Sequence, residues 1–92
     1  MSFEWDVEKA KLNLAKHGVS FEFATRVWHD PHHALFLDRV VDGEKRWHAV
    51  GLVDGTMIVL VVHTYPAGDD EDHARIISAR KATPSETRRY GR

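Results

Sequence analysis

Six basic side chains gather in the last twenty residues of this chain, and their types suit phosphate chemistry. Between His73 and Arg92 stand Arg75, Arg80, Lys81, Arg88, Arg89 and Arg92 against a single acid, Glu86, so this stretch carries +5 and residues 1–72 carry −6. Arginine on a rigid element suits phosphate because its planar fork of donors matches phosphate oxygens. Local positive charge also concentrates a polyanion. Cleaving a phosphodiester next to a ribose without a metal needs three things. A base takes the 2′-hydroxyl proton, an acid protonates the leaving 5′-oxygen, and cations stabilise the charged phosphorane. The groups available for these roles are His63, His17, Lys16, Arg75, Arg80, Tyr65, Tyr90 and Glu86.

Each group also has a plainer reading. Arg80 can pair with Glu86, and Arg75 can be a solvated strand-edge charge partnered by Asp70 or Asp72. His63 ends an apolar run, where a satisfied buried histidine is common, although an imidazole also suits acid–base work near neutrality. Lys16 and His17 can complement a helix C-terminal dipole. Tyr90 can pack the last helix, and Trp5 and Trp28 suit core anchors better than base-stacking platforms. The run His29-Asp30-Pro31-His32-His33 holds nitrogens and a carboxylate, but its proline breaks any regular face and no zinc-site spacing accompanies it. No native metal and no cofactor is expected. Asp69-Asp70-Glu71-Asp72 lacks the pattern of a calcium loop and reads as a solvated turn.

Elements must hold these groups in place. Ninety-two residues suit one domain with one core, and a hydrophobic share of 42% with 29% charged residues fits a globular chain. No apolar run approaches the roughly 20 residues of a membrane helix. The N-terminus has no secretory pattern, which makes the cytoplasm the default compartment. There is no cysteine, which removes disulfides, thiolate metal sites and a cysteine nucleophile.

Phe3-Glu4-Trp5 reads as a short extended entry. Asp6 caps a helix over roughly residues 7–17 that Gly18 stops, with Val7, Ala10 and Leu14 on one face. Ser20 caps a second helix through about Trp28, ended by Asp30-Pro31. Strands follow over Ala34–Val41, Lys45–Val53, Thr56–Tyr65 and Arg75–Lys81, with hairpin turns at Asp42-Gly43 and Asp54-Gly55. The third strand, with its Met57–Val62 apolar run, should be central and buried on both faces. Thr83-Pro84-Ser85-Glu86 opens the last helix with a capping box. The fold class is therefore α+β: two N-terminal helices, a four-stranded largely antiparallel sheet and a C-terminal helix. On a regular strand Arg75 and Arg80 point to opposite faces, and they share a face only if a bulge intervenes.

Several segments carry a family resemblance. They are Phe3-Glu4-Trp5-Asp6, Asn13-x-x-Lys16-His17-Gly18-Val19-x-Phe21, Asp30-Pro31, Val62-His63-Thr64-Tyr65 and Arg75-Ile76-Ile77-Ser78-Ala79-Arg80-x-Ala82-Thr83-x-x-Glu86-x-x-x-Tyr90. In this order and spacing the chain resembles the BrnT family, small toxins of bacterial type II toxin–antitoxin modules. The resemblance runs nearly end to end. It implies a RelE-like ribonuclease fold, cleavage of RNA, and neutralisation by a BrnA-type antitoxin that also binds DNA. The acidic loop after Tyr65 and the seven histidines depart from the family pattern.

Residues and resemblance together give Arg80, Arg75, His63 and Tyr90 as candidate catalytic groups. They give Lys16, His17, Tyr65, Lys81, Arg88 and Arg89 as candidate RNA-binding groups. Expected partners are RNA and a BrnA-like antitoxin, with operator DNA engaged only through the antitoxin complex and no membrane. The alternative is a non-catalytic binding module or co-repressor subunit of such a complex.

Overall fold

A computed structural model describes residues 1–91; Arg92, one of the six C-terminal basic residues, lies outside them. The element order is β1 (Ser2–Glu4), α1 (Val7–His17), α2 (Phe21–Ala24), a 3₁₀ segment (Thr25–His29), β2 (Ala34–Val41), β3 (Glu44–Val53), β4 (Met57–Thr64), β5 (His73–Lys81) and α3 (Pro84–Tyr90). Local chemistry explains most boundaries. The Asp6 carboxylate accepts from the Glu8 and Lys9 amides at 2.9 and 3.1 Å, capping α1. Gly18 ends that helix at φ 72°, a backbone state that glycine enters without steric cost. Ser20 caps α2 through the Phe23 amide at 3.0 Å. The expected helix to Trp28 is α-helical only to Ala24 and then tightens into the 3₁₀ segment.

The sheet differs from the four-stranded expectation. It has five strands in the order β1-β5-β4-β3-β2 and is mixed, because β1 pairs parallel with β5 through Phe3↔Ala74 and Glu4↔Arg75. The entry segment is thus a strand. Its partner lies some seventy residues on, so no local turn signal announces the pairing. The remaining pairs are antiparallel, and β4 is central as expected. Asp42 and Gly43 both have positive φ, 51° and 80°, as a two-residue hairpin whose twist matches its strands requires.

The sheet has two unlike faces. On the first, Ala49, Val53, Val59, Val61, Ile76 and Ala79 pack against Val19, Phe21, Ala24 and Val27 from the helical layer. On the second, Val50, Leu60 and Ala82 pack with Phe36, Ile58, Val62 and Tyr90, and α3 covers only this part. The inward face of α1 also departs from expectation. Val7 is 61% and Leu14 49% exposed, whereas Asn13 is buried. The Asn13 amide donates to the Val19 and Ala79 carbonyls at 2.9 and 2.8 Å and accepts from the Ala79 amide at 3.1 Å. Polar pairing with the edge of β5, rather than an apolar stripe, sets the rotation of α1.

Candidate nucleic-acid interface

A bulge in β5 decides where the arginines go. Val62 pairs with Ser78 but His63 pairs with Ile76, so Ile77 is an extra residue. As a result Arg75 lies opposite Thr64 and Arg80 opposite Leu60. Leu60, Val62 and Thr64 alternate onto the second sheet face. Arg75 and Arg80 therefore share that face, on the order of 13 Å apart along the strand. Arg88 and Arg89 join them from α3, where the Arg89 guanidinium lies 3.9 Å from the centre of the Phe36 ring.

The same face carries charged groups that the sequence reading did not select. A second bulge, between Leu37 and Arg39, leaves Asp38 unpaired and sets Arg39 directly opposite Arg46. His48 lies between Phe36 and Val62 in the next row. Its Nε2 stands 3.5 Å from Asp38 Oδ2, which also accepts from Arg39 Nε at 2.8 Å. His48 is thus a half-buried imidazole close to a carboxylate and to cations. One signal for Arg39 and Arg46 was available. A two-residue turn at Asp42-Gly43 fixes the pairing 41↔44, 40↔45 and 39↔46.

The two selected arginines already hold carboxylates. Arg80 makes a bidentate pair with Glu86 at 2.7 and 2.8 Å, and this contact holds the Glu86 carboxyl down to about 2. Glu86 also accepts from the Thr83 amide at 2.8 Å, so one side chain completes the capping box of α3 and ties it to β5. Arg75 is more loosely held, with Nε 3.4 Å from Glu4 Oε2 and its side chain 52% exposed. His73 shares that carboxylate at 2.7 Å.

Most of the remaining sequence candidates separate from this face. His63 points to the helix-covered side with no exposed surface. Its ring packs edge-on against Trp28 and Tyr65 at 4.9 and 5.0 Å, and its Nε2 meets the Tyr65 hydroxyl at 3.1 Å. Burial pushes its imidazole down to about 4, so it is neutral at pH 7. Burial likewise raises the half-buried Tyr65 phenol. Lys81 lies opposite Val59 on the helix-covered side, and Lys16 and His17 occupy the exposed last turn of α1 in that same layer. Tyr90 does reach the second face, but its hydroxyl donates to Asp30. The Asp30 carboxylate accepts from the Leu52 and His32 amides as well, at 2.8 and 2.9 Å. Desolvation alone would raise this carboxyl, and the Tyr90, Leu52 and His32 donors together hold it below its ordinary range. Among the described residues no three His, Asp or Glu side chains converge as metal ligands.

A mixed sheet with α1 and α2 on one face, and arginines beside α3 on the other, defines a small α+β domain with a cationic sheet face. The model of the family described as "Ribonuclease toxin, BrnT, of type II toxin-antitoxin system" matches residues 5–86. The chain belongs to that family. It is also similar to the crystal structure of the ribonuclease toxin BrnT from Brucella abortus, with 27% identity and a TM-score of 0.64. That likeness covers 90% of this chain and 97% of the other. A search of curated proteins finds no match.

Proposed function

We propose that this ribonuclease toxin cleaves RNA without a metal, on the sheet face that carries Arg75 and Arg80. The observation that supports this most is the bulge at Ile77, which brings both arginines to one face beside the His48–Asp38 pair. In this reading a single-stranded RNA backbone crosses the sheet, with Arg88 and Arg89 steering it from α3. Arg75 stabilises the phosphorane, and Arg80, once Glu86 is displaced, holds a phosphate further along the strand. His48, beside Asp38, takes the proton of the 2′-hydroxyl as that oxygen attacks phosphorus and closes the 2′,3′-cyclic phosphate, and a water proton goes to the departing 5′-oxygen. His63 supports the sheet from behind as a neutral core group, and Tyr90 fixes α3 through Asp30. The label RelE-like goes with this reading, as does action in the cytoplasm. A BrnA-like antitoxin would cover the arginine face, and operator DNA would be bound only by the complex.

A second reading is favoured by one specific contact. Arg80 is saturated by Glu86 in the free chain, which suits a non-catalytic binding subunit. Purified protein incubated with RNA in excess chelator separates the two. Cleavage that survives chelator and leaves 2′,3′-cyclic or 3′-phosphate ends supports the enzyme. Loss of cleavage restored by magnesium, or no cleavage under any condition, refutes it.

A further inference from the structure

Among the described residues, two buried side-chain polar atoms have no hydrogen-bond partner: Arg46 Nε and Thr64 Oγ1. They belong to one row. Arg39 pairs with Arg46, and Thr64 pairs with Arg75. The β3–β4 ladder at Trp47↔His63, continued by one residue, sets Arg46 beside Thr64. Four strands therefore line up Arg39, Arg46, Thr64 and Arg75 on the second face.

This row is unfavourable for the free chain on two grounds. Like charges directly opposite each other repel, and a buried polar atom left unpaired bears its full desolvation penalty. No carboxylate among the described residues pairs with Arg46, while Arg39 and Arg75 engage Asp38 and Glu4 at exposed positions. A monoanionic phosphodiester resolves both features. It neutralises the repulsion between arginines and accepts from their guanidinium groups, and it reaches the Thr64 hydroxyl, fully buried in the free chain, once the neighbouring arginine side chains turn to meet it. A cation would resolve neither, and a neutral sugar could pair the polar atoms but would leave the repulsion between arginines.

We propose that the Arg39–Arg46–Thr64–Arg75 row is a backbone-phosphate anchor, centred on Arg46 and Thr64 rather than on Arg80. The assignment rests on the ribonuclease reading and adds where the RNA is gripped. His48, one row away, then stands next to the anchored phosphate, while Arg80 lies two rows further along and contacts a different part of the strand.

The test uses the full chain and a 2′-O-methyl RNA oligonucleotide, which cannot be cleaved, so binding is read independently of catalysis. Inorganic phosphate is the second probe. Thr64→Val removes the hydroxyl at constant shape, and Arg46→Met keeps the aliphatic stem. Lys11→Met, on the exposed side of α1, is the control. Loss of a hydrogen bond to a charged group predicts at least about tenfold weaker RNA binding for Thr64→Val. Arg46→Met should weaken binding further and lower the salt dependence by about one counterion. Thr64→Val should melt no lower than wild type, because an unpaired buried hydroxyl has been replaced by a methyl group. Wild-type RNA affinity in both variants overturns the proposal, as does phosphate binding at the row with oligonucleotide affinity unchanged. Weakened binding in both, in a chain that cleaves nothing, upholds the anchor while the ribonuclease reading fails.

Discussion

Asn13 and Ala79 exchange hydrogen bonds as two strands would. The side-chain amide donates to the Ala79 carbonyl at 2.8 Å and its oxygen accepts from the Ala79 amide at 3.1 Å. The strand β1 ends its pairing with β5 at Arg75, so the edge of β5 beyond the bulge would otherwise lie open. A helix side chain therefore completes the ladder. Asn13→Ala should cost about 2–4 kcal/mol, since it strands buried peptide groups. Asn13→Asp should cost more, because a carboxylate cannot donate to the two carbonyls. Urea titrations check both, and a loss below about 1 kcal/mol would mean that water replaces the amide.

Glu86 restrains Arg80 and caps α3 at once. Glu86→Gln should lower stability by about 1–2 kcal/mol by weakening a charge-assisted pair and the capping box. If Arg80 is a phosphate ligand, the same substitution frees it and RNA binds at least as tightly as to wild type. Arg80→Ala should instead weaken RNA binding, and cleavage with it, by at least about tenfold through the loss of a charge-assisted phosphate contact. Parallel losses of RNA affinity in the two variants would make the pair purely structural. With Glu86 held down to about 2 from an ordinary 4.5, its contribution to stability is complete above pH 4.5 and is lost as pH falls towards 2.

His63 sets a second pH window. Its folded value lies near 4 against an ordinary 6.5, so between these values the unfolded chain binds more protons than the folded one. Stability should fall as pH drops from 6.5 to 4, by on the order of 3 kcal/mol, and stay level above pH 7. His63→Gln should flatten that segment of the profile even though it lowers stability overall. A wild-type thermal midpoint constant between pH 7 and 4 would contradict the buried neutral imidazole.

Gly51 lies under the 3₁₀ segment. A Cβ there would stand 2.9 Å from Val27 Cγ1, 3.1 Å from the Val27 carbonyl and 3.2 Å from His33 Cβ. Gly51→Ala should destabilise the chain by about 1–3 kcal/mol through overpacking, whereas a glycine in an open strand normally gains from alanine. Calorimetry decides the sign.

Local chemistry was legible in the sequence wherever it acts over a few residues. The caps at Asp6, Ser20 and Thr83, the stop at Gly18 and both Asp-Gly turns announced the elements they bound. Pairing across the chain was not legible. Phe3 meets Ala74 with no turn between them, and the bulge at Ile77 is apolar on an apolar strand. Arg75 and Arg80 consequently looked opposed on a regular strand but lie on one face. Arg39 and Arg46 could have been paired by counting back from Asp42-Gly43. On β2, Leu35, Leu37 and Val41 alternate against Asp38 as on a regular strand, so the bulge there left no mark in the sequence. His63 drew attention as a titratable group, but only the packing of Trp28 and Tyr65 around its ring reveals how dry its surroundings are.

The parallel pairing of β1 has a consequence for the order of folding during synthesis. The amide of Ser2 bonds the carbonyl of Asp72, and the hydroxyl of Ser2 bonds the ring of His73, across some seventy residues. β1 waits for β5, and β5 is the strand bearing Arg75 and Arg80. Nascent chains that stop short of β5 hold a β2–β4 meander with an exposed apolar edge and none of the C-terminal arginines. Such fragments are candidates for aggregation or degradation. The full cationic face therefore arises only after β5 has been made, when the long loop between β1 and β5 closes.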